Sequence, residues 1–243
     1  MSFSQGSGEA QVVNQGSKKG EERPVLRSDR MLVIVGGGPV DLEVLKQLHG
    51  QGFCIVAADG GAQWCARARI APEAIIGDMD SLKNRKDWET RARVIEIPEQ
   101  ETTDFEKCLY STDSPIVLGL GMTGARLDHT LSALSAIVRY GGKRQIILLD
   151  STDVIIAVRG DFSLTVKKSG KVSIHPVAPI RFTKSQGLAY PLNGVELAPG
   201  KRTGISNEIV KGGFAIVPDE ENKTTPYLLI MAKENLKKLL EEY

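Results

Sequence analysis

The sequence predicts an α/β protein: a mostly parallel sheet with helices on both faces, followed by a smaller β-rich sandwich or barrel domain. Three observations lead there. From Met31 to Asp150, short apolar runs alternate with helix-period segments, as expected of strands buried on both sides and joined by crossover helices. After Asp150 the period shortens toward two, and the segments are parted by Gly, Pro and Ser turns, the pattern of antiparallel sheets. Hydrophobic residues make up 41% and charged residues 25% of a 243-residue chain, enough to bury one large core or two small ones. The expected division is a flexible N-terminal extension over 1–30, an α/β domain over 31–150 and a β-rich domain over 151–243.

Residues 1–30 are rich in Ser, Gly, Gln, Lys and Glu and carry no apolar h-region. They are read as an extension that buries too little surface to offset its ordering entropy, and not as a secretory signal. Met31–Val35 is an apolar run ending in Gly36-Gly37-Gly38-Pro39, a buried strand and a tight turn. Val40–Leu48 sets Leu42, Leu45 and Leu48 near helical spacing. Phe53–Ala57 is the next strand, followed at once by Asp59-Gly60-Gly61 and a short helix over Ala62–Ala68. Ala74–Ile76 runs into Gly77-Asp78-Met79-Asp80-Ser81. Arg93–Ile97 is a strand, Asp104–Tyr110 a helix and Pro115–Leu118 a strand. Arg126–Tyr140 is the clearest helix, with Leu127, Leu131, Leu134 and Val138 on one face. Gln145–Leu149 closes the set. The second half offers Val154–Val158, Phe162–Val166, Lys171–His175, Ile180–Thr183, Phe214–Val217 and Tyr227–Met231 as short strands, and Lys233–Glu242 as a terminal helix.

Charge and cysteine content narrow the function. A net charge of +1 lacks the basic excess that nucleic-acid binding draws on. No apolar stretch approaches the roughly 20 residues of a membrane helix. Three cysteines, Cys54, Cys65 and Cys108, form no CxxC pair and read as buried thiols of a reducing compartment, the cytoplasm.

In parallel α/β sheets ligands bind beyond the carboxyl ends of the strands, and the polar clusters fall there. Asp78 and Asp80 stand two residues apart after an apolar strand, where hard carboxylate oxygens suit Mg²⁺. As an isolated motif this is also an ordinary Asp-rich turn. Asp104 opens a helix, with Lys107 one turn later on the same side. In Gly121-Met122-Thr123-Gly124-Ala125-Arg126-Leu127-Asp128-His129, glycines admit close backbone approach, Arg126 offers a bidentate grip on phosphate, and Asp128 can join the site or orient a neighbour. Asp59, Gly60 and Gly61 offer a carboxylate and backbone amides to a nucleotide. Gly36–Pro39 lacks the Gly-Lys-Ser/Thr that a Walker A loop requires. Four modest signals after successive strands describe a site for Mg²⁺ and a polyphosphate, the equipment of phosphoryl transfer.

In this order the motifs resemble the thiamine pyrophosphokinase (thiamine diphosphokinase) family. The resemblance is carried by Ala58-Asp59-Gly60-Gly61, by Gly77 to Leu82, by Gln100 with Thr103-Asp104-Phe105-Glu106-Lys107, and by Gly124 to His129. It continues through Gly187-Leu188-Ala189-Tyr190-Pro191-Leu192 and Gly204-Ile205-Ser206-Asn207-Glu208. It implies an α/β nucleotide-binding catalytic domain, a β-rich thiamine-binding domain and a homodimer with thiamine at the subunit interface. It further implies transfer of the diphosphate of ATP to the thiamine hydroxyl, with AMP released. Carried over by position, Asp78, Asp80 and Asp104 are the Mg²⁺ carboxylates. Lys107, Arg126 and Asp128 belong to the ATP and transfer site, joined for nucleotide binding by Asp59, Gly60 and Gly61. Gln100, Ser206 and Asn207 contact thiamine. One departure is Ala125, where the family often has a second glycine before the arginine. A diphosphokinase for another small alcohol, such as a pterin carbinol, would use the same carboxylates, and a non-catalytic nucleotide or thiamine-diphosphate sensor would keep the loops. The β-rich motifs favour thiamine over the first, and the three carboxylates favour an enzyme over the second.

Overall fold

The computed structural model describes residues 11–12, 24–166, 168–210 and 212–242. It divides into two compact units that part between Ser151 and Thr152. Most of the expected extension lies outside the described residues. Its last part does not: Leu26–Arg27 pairs in parallel with Thr112–Asp113, and Leu26 is buried, because Leu26 brings a large apolar side chain that a solvated tail would leave in water.

In the first unit the strands are β1 (Leu32–Val35), β2 (Cys54–Ala58), β3 (Ala74–Gly77), β4 (Arg93–Glu96), β5 (Ile116–Leu120) and β6 (Gln145–Leu149). Their order is β6-β5-β1-β2-β3-β4, and each neighbouring pair runs parallel. The helices are α1 (Leu42–Gly50), α2 (Ala62–Ala68), α3 (Arg85–Glu89), α4 (Asp104–Ser111) and α5 (Leu127–Tyr140). The β1–α1–β2 and β2–α2–β3 crossovers step one way across the sheet and β5–α5–β6 steps the other. Right-handed crossovers then place α1 and α2 on one face and α5 on the opposite one; α1 touches α2, and α4 touches α5. Every residue of β1, β2 and β3 is buried, as expected of strands covered on both sides. The register sets the strand ends level, with Val35 opposite both Ala57 and Leu120, and Ala58 opposite Ile76. The loops that follow β1, β2, β3 and β5 therefore open at one edge.

Helix α5 departs from the sequence reading. It buries Ala133, Ala136 and Ile137, and the two alanines admit a close approach to the sheet. The expected apolar face turns outward instead, leaving Leu127 74% and Leu131 56% exposed. Helix α3 has too few residues to show a period and is held by buried Trp88.

The second unit carries β7 (Asp153–Val158), β8 (Phe162–Leu164), β9 (Gly170–Pro176), β10 (Ile180–Gln186), β11 (Val195–Leu197), β12 (Gly204–Ile209), β13 (Phe214–Pro218), β14 (Tyr227–Ala232) and a short helix α6 (Leu236–Glu241). Antiparallel pairing joins β12-β9-β14-β7 in one sheet and β8-β13-β10-β11 in another. Phe182 of β10 and Tyr227 of β14 meet between them edge to face, centroids 5.4 Å apart at 80°, a favoured aromatic geometry. Among the described residues no helix is long and apolar enough to cross a membrane.

All three cysteines are free and buried. Burial pushes the Cys54 and Cys65 thiols up to about 12 and Cys108 upward as well. Since the thiolate is the nucleophile, the native protein at pH 8 is expected to take up no iodoacetamide by intact mass, and guanidinium-unfolded protein three adducts, one for each cysteine.

Candidate active site

Three carboxylates converge at the level edge of the first unit. Asp59 follows β2 as the first residue of a 3₁₀ turn, Asp78 directly follows β3, and Asp104 is the first residue of α4. One oxygen from each lies within 4.8 Å of the others. Helix α4 is fixed at this end by a capping box in which the Thr103 side chain accepts from the Glu106 N–H while the Glu106 carboxylate accepts from the Thr103 N–H. One turn on, Lys107 is 1% exposed and holds its ammonium 3.3 Å from Asp104 Oδ1 and 3.7 Å from Asp78 Oδ2. Gln100 Nε2 donates to Asp78 Oδ2 at 3.0 Å. The Asp78 N–H donates to Asp104 Oδ1 at 3.3 Å, and the Ser81 N–H to Asp59 Oδ2 at 2.8 Å.

Gly77 makes the convergence possible. A Cβ there would stand 2.7 Å from Asp59 Cβ and 2.9 Å from Asp104 Oδ1, distances real side chains do not tolerate. Two non-glycine residues beside it hold positive φ, Asp59 at 36° and Met79 at 67°, a conformation that clusters at functional sites because surrounding structure must enforce it. A Gly77→Ala substitution is expected to spread the carboxylates, to cost about 1–3 kcal/mol as overpacking does, and to lower Mg²⁺ affinity. Isothermal titration and chemical denaturation of the variant measure both.

The electrostatics favour a cation. Burial raises the Asp59 carboxyl above the ordinary carboxylate range, with the neighbouring Asp104 and Asp78 charges adding to it. Asp104 is raised by burial and by Asp78. Burial also works to raise Asp78, but the hydrogen bonds from Gln100 and the Asp80 N–H, with the Lys107 charge, outweigh it and hold that carboxyl low. One ammonium faces three carboxylates, and Asp59 Oδ1 is buried without a hydrogen-bond partner. A buried, unpaired carboxylate oxygen among other carboxylates fits the hard oxygen coordination of Mg²⁺.

Several expected site residues sit elsewhere. Asp80 is exposed outside this trio, its N–H on Asp78 Oδ1 at 3.2 Å, because the positive φ of Met79 turns the chain between the two aspartates. Asp59, read from sequence as a nucleotide contact, stands with Asp78 and Asp104 in the cluster; the signal was present, since Asp59 follows β2 as Asp78 follows β3. Arg126 and Asp128 flank the start of α5 and pair with each other at 2.5 Å, both largely exposed. A Cβ on Gly61 would lie 1.8 Å from the Val35 carbonyl, so its glycine is required by packing against β1. Gly60 has Ser81 Cβ 3.3 Å from its own Cβ position. Around Gly121, at φ 66°, the loops after β1 and β5 interlock: a Cβ on either Gly36 or Gly38 would stand 2.7 Å from its carbonyl oxygen.

In the second unit Ser206 is exposed at φ 58°. Asn207 is 3% exposed, and its carboxamide accepts from the Tyr190 N–H at 3.1 Å and donates to the Tyr190 carbonyl at 2.8 Å. That side chain braces the 187–190 segment against β12.

Residues 45–149 match the family model described as thiamin pyrophosphokinase, catalytic domain. Thiamin pyrophosphokinase 1 of Caenorhabditis elegans is 31% identical over 172 residues, covering 63% of this chain and 70% of that protein. The chain belongs to the thiamin pyrophosphokinase family. Thiamine pyrophosphokinase 1 of Oryza sativa subsp. japonica is 25% identical over 173 residues, covering 64% of this chain and 66% of its own length. Among solved structures, the thiamin pyrophosphokinase of Geobacillus thermodenitrificans superposes with a TM-score of 0.69 at 23% identity, covering 84% of this chain and 97% of its own. That of Candida albicans gives 0.72 at 15% identity over 92% and 98%. These two likenesses bear on the fold. The family match runs from within α1 to the end of β6 and so includes Asp59, Asp78, Asp104 and Lys107.

Proposed function

We propose that this protein is a thiamine diphosphokinase, transferring the diphosphate of ATP to the hydroxyl of thiamine and giving thiamine diphosphate and AMP. The observation that carries the reading is the trio of Asp59, Asp78 and Asp104 around a residue with no side chain, with buried Lys107 between two of them, in a chain of this family. The trio would hold Mg²⁺, which supplies charge neutralisation to the phosphates when bound. Lys107 holds Asp78 and Asp104 in place and offers a positive charge to the polyphosphate. Arg126, exposed at the start of α5, exchanges its Asp128 partner for a phosphate, a bidentate match.

The hydroxyl oxygen of thiamine forms a bond to the β-phosphorus. The bond from that phosphorus to the oxygen bridging the α- and β-phosphates breaks, and AMP leaves with that oxygen. The hydroxyl proton passes to a carboxylate. Asp104 is the best placed acceptor. Its side chain is 31% exposed against 16% for Asp78, and the Asp78 charge works to raise it while Gln100, the Asp80 N–H and Lys107 hold Asp78 low. Gln100, beside Asp78, and Ser206 are assigned to thiamine, with Asn207 ordering the segment that carries Tyr190. The outward Leu127 and Leu131 support a homodimer, since contiguous exposed apolar side chains mark contact surfaces. The three unpaired thiols fit a reducing, cytoplasmic setting.

Offering thiamine and a pterin carbinol in parallel, each with ATP and Mg²⁺, tests the acceptor. The expected result is conversion of thiamine alone. Conversion of the pterin alone overturns the assignment.

A further inference from the structure

Glu99 belongs to none of the roles above, yet its carboxylate organises the loop that joins β4 to α4. It is half-buried. Its Oε2 accepts from the backbone N–H of Glu101 at 2.7 Å and of Thr102 at 3.0 Å. Its Oε1 accepts from the Tyr110 hydroxyl at 3.0 Å and from the Thr102 hydroxyl. Tyr110 stands near the far end of α4, so one carboxylate ties both the loop backbone and the helix together. The next residue is Gln100, exposed and long, whose carboxamide reaches Asp78. Four residues after Gln100 comes Asp104. A rotamer-rich side chain on an untethered loop would lose that contact to entropy.

We propose that Glu99 is a positioning residue: it clamps the 98–103 loop to α4 so that Gln100 stays on Asp78 and Thr103 caps the helix beneath Asp104. This rests on the diphosphokinase reading and deepens it, since the clamp sets the geometry of both a carboxylate and a thiamine contact. The donors, led by the Thr102 hydroxyl, hold the Glu99 carboxyl down to about 2. A carboxylate accepts on both oxygens at once, from two N–H groups on Oε2 and from two hydroxyls on Oε1. A glutamine keeps the first pair by turning its carbonyl toward the N–H groups and its NH₂ toward the hydroxyls, which can accept, so removal of the clamp requires truncation of the side chain.

The test compares wild type, Glu99→Ala, Tyr110→Phe, Gln100→Ala and the Glu99→Ala/Gln100→Ala double variant. Hydrogen exchange at the amides of Glu101 and Thr102 should speed by about tenfold or more in Glu99→Ala, as the loss of a hydrogen bond of about 1.4 kcal/mol implies. The kcat/KM for thiamine should fall by about 10–100-fold, the effect of a misplacement near 1 Å. Tyr110→Phe should lie between this variant and wild type, and keeps the test open should Glu99→Ala fail to fold. A residue acting through Gln100 gives non-additive losses, so the double variant should be no worse than the worse single one. Wild-type kcat/KM in Glu99→Ala, unchanged exchange, or losses that simply multiply would each overturn the proposal. A wild-type protein inert toward thiamine would instead overturn the diphosphokinase reading. The clamp is then judged by the Mg²⁺-induced rise in melting temperature, which must shrink in Glu99→Ala; an equal rise overturns it.

Discussion

Replacing Lys107 with Met is expected to lower turnover by about 10²–10³-fold, the usual consequence of deleting one preorganised charge that stabilises a transferring group. It is also expected to destabilise the metal-free protein by about 3–5 kcal/mol, as removal of one partner from a buried ion pair does. Lys107 is 1% exposed and touches both Asp78 and Asp104. Without its ammonium, three carboxylates with one oxygen each within 4.8 Å of the others are left with neutral donors, among them Gln100, Ser81 and backbone N–H groups. Methionine fills similar volume, so the effect reads the charge and not a cavity. Saturating Mg²⁺ should recover much of the stability, because a divalent cation answers the same carboxylates, while turnover stays low. Denaturant melts with and without Mg²⁺, alongside steady-state kinetics, check this. A variant of wild-type stability in metal-free buffer would show that Lys107 does not balance the cluster.

Asp59→Asn is expected to move stability and function in opposite directions. The Asp59 carboxyl is raised in the folded state, first by burial and then by Asp104 and Asp78. A carboxyl whose folded pKa exceeds its unfolded one costs stability once it ionises, and that cost grows as pH rises past its unfolded value. The neutral amide removes the cost. The metal-free variant should therefore melt above wild type at neutral pH. The two should converge at a pH low enough to protonate Asp59 in both folded and unfolded chains. At the same time the buried oxygen that now lacks a partner ceases to be a charged ligand. The Mg²⁺-induced rise in melting temperature should nearly vanish, and turnover should fall by about 10²-fold or more. Such a trade of activity for stability is the mark of a functional group held in an unfavourable place. A variant that loses stability and keeps its turnover would remove Asp59 from the site.

Much of this was legible in the residues. The apolar runs at Leu32–Val35, Cys54–Ala58 and Ile116–Leu120 read as buried strands because nothing polar interrupts them. Asp78, Asp104 and Lys107 were legible because each stands at the end of a strand or within the first turn of a helix. The grouping was not. That Asp59 joins Asp78 and Asp104 depends on the register between β2 and β3, on the missing side chain of Gly77 and on the positive φ of Met79, none of which has a signature at the level of spacing. Helix α5 was read correctly as a helix with an apolar stripe, but the stripe is not the buried face. Periodicity locates an apolar stripe without saying whether sheet or solvent receives it, and the alanines at 133 and 136 allowed the closer approach. Strand β12 was hidden because Ser206 and Asn207 are turn-formers by composition, and here Asn207 spends its carboxamide on the backbone of Tyr190. Glu99 was invisible because two of its four donors are backbone amides and a third, the Tyr110 hydroxyl, comes from a residue eleven positions on.

The most direct test of the central claim follows the phosphorus. Wild-type protein and Asp59→Asn are incubated with ATP, Mg²⁺ and thiamine, and the products are resolved by phosphorus NMR and mass spectrometry. The account predicts thiamine diphosphate and AMP in equal amounts from wild type, neither without metal, and little of either from the variant. Thiamine monophosphate with ADP would contradict attack at the β-phosphorus, and full turnover by the variant would contradict the site.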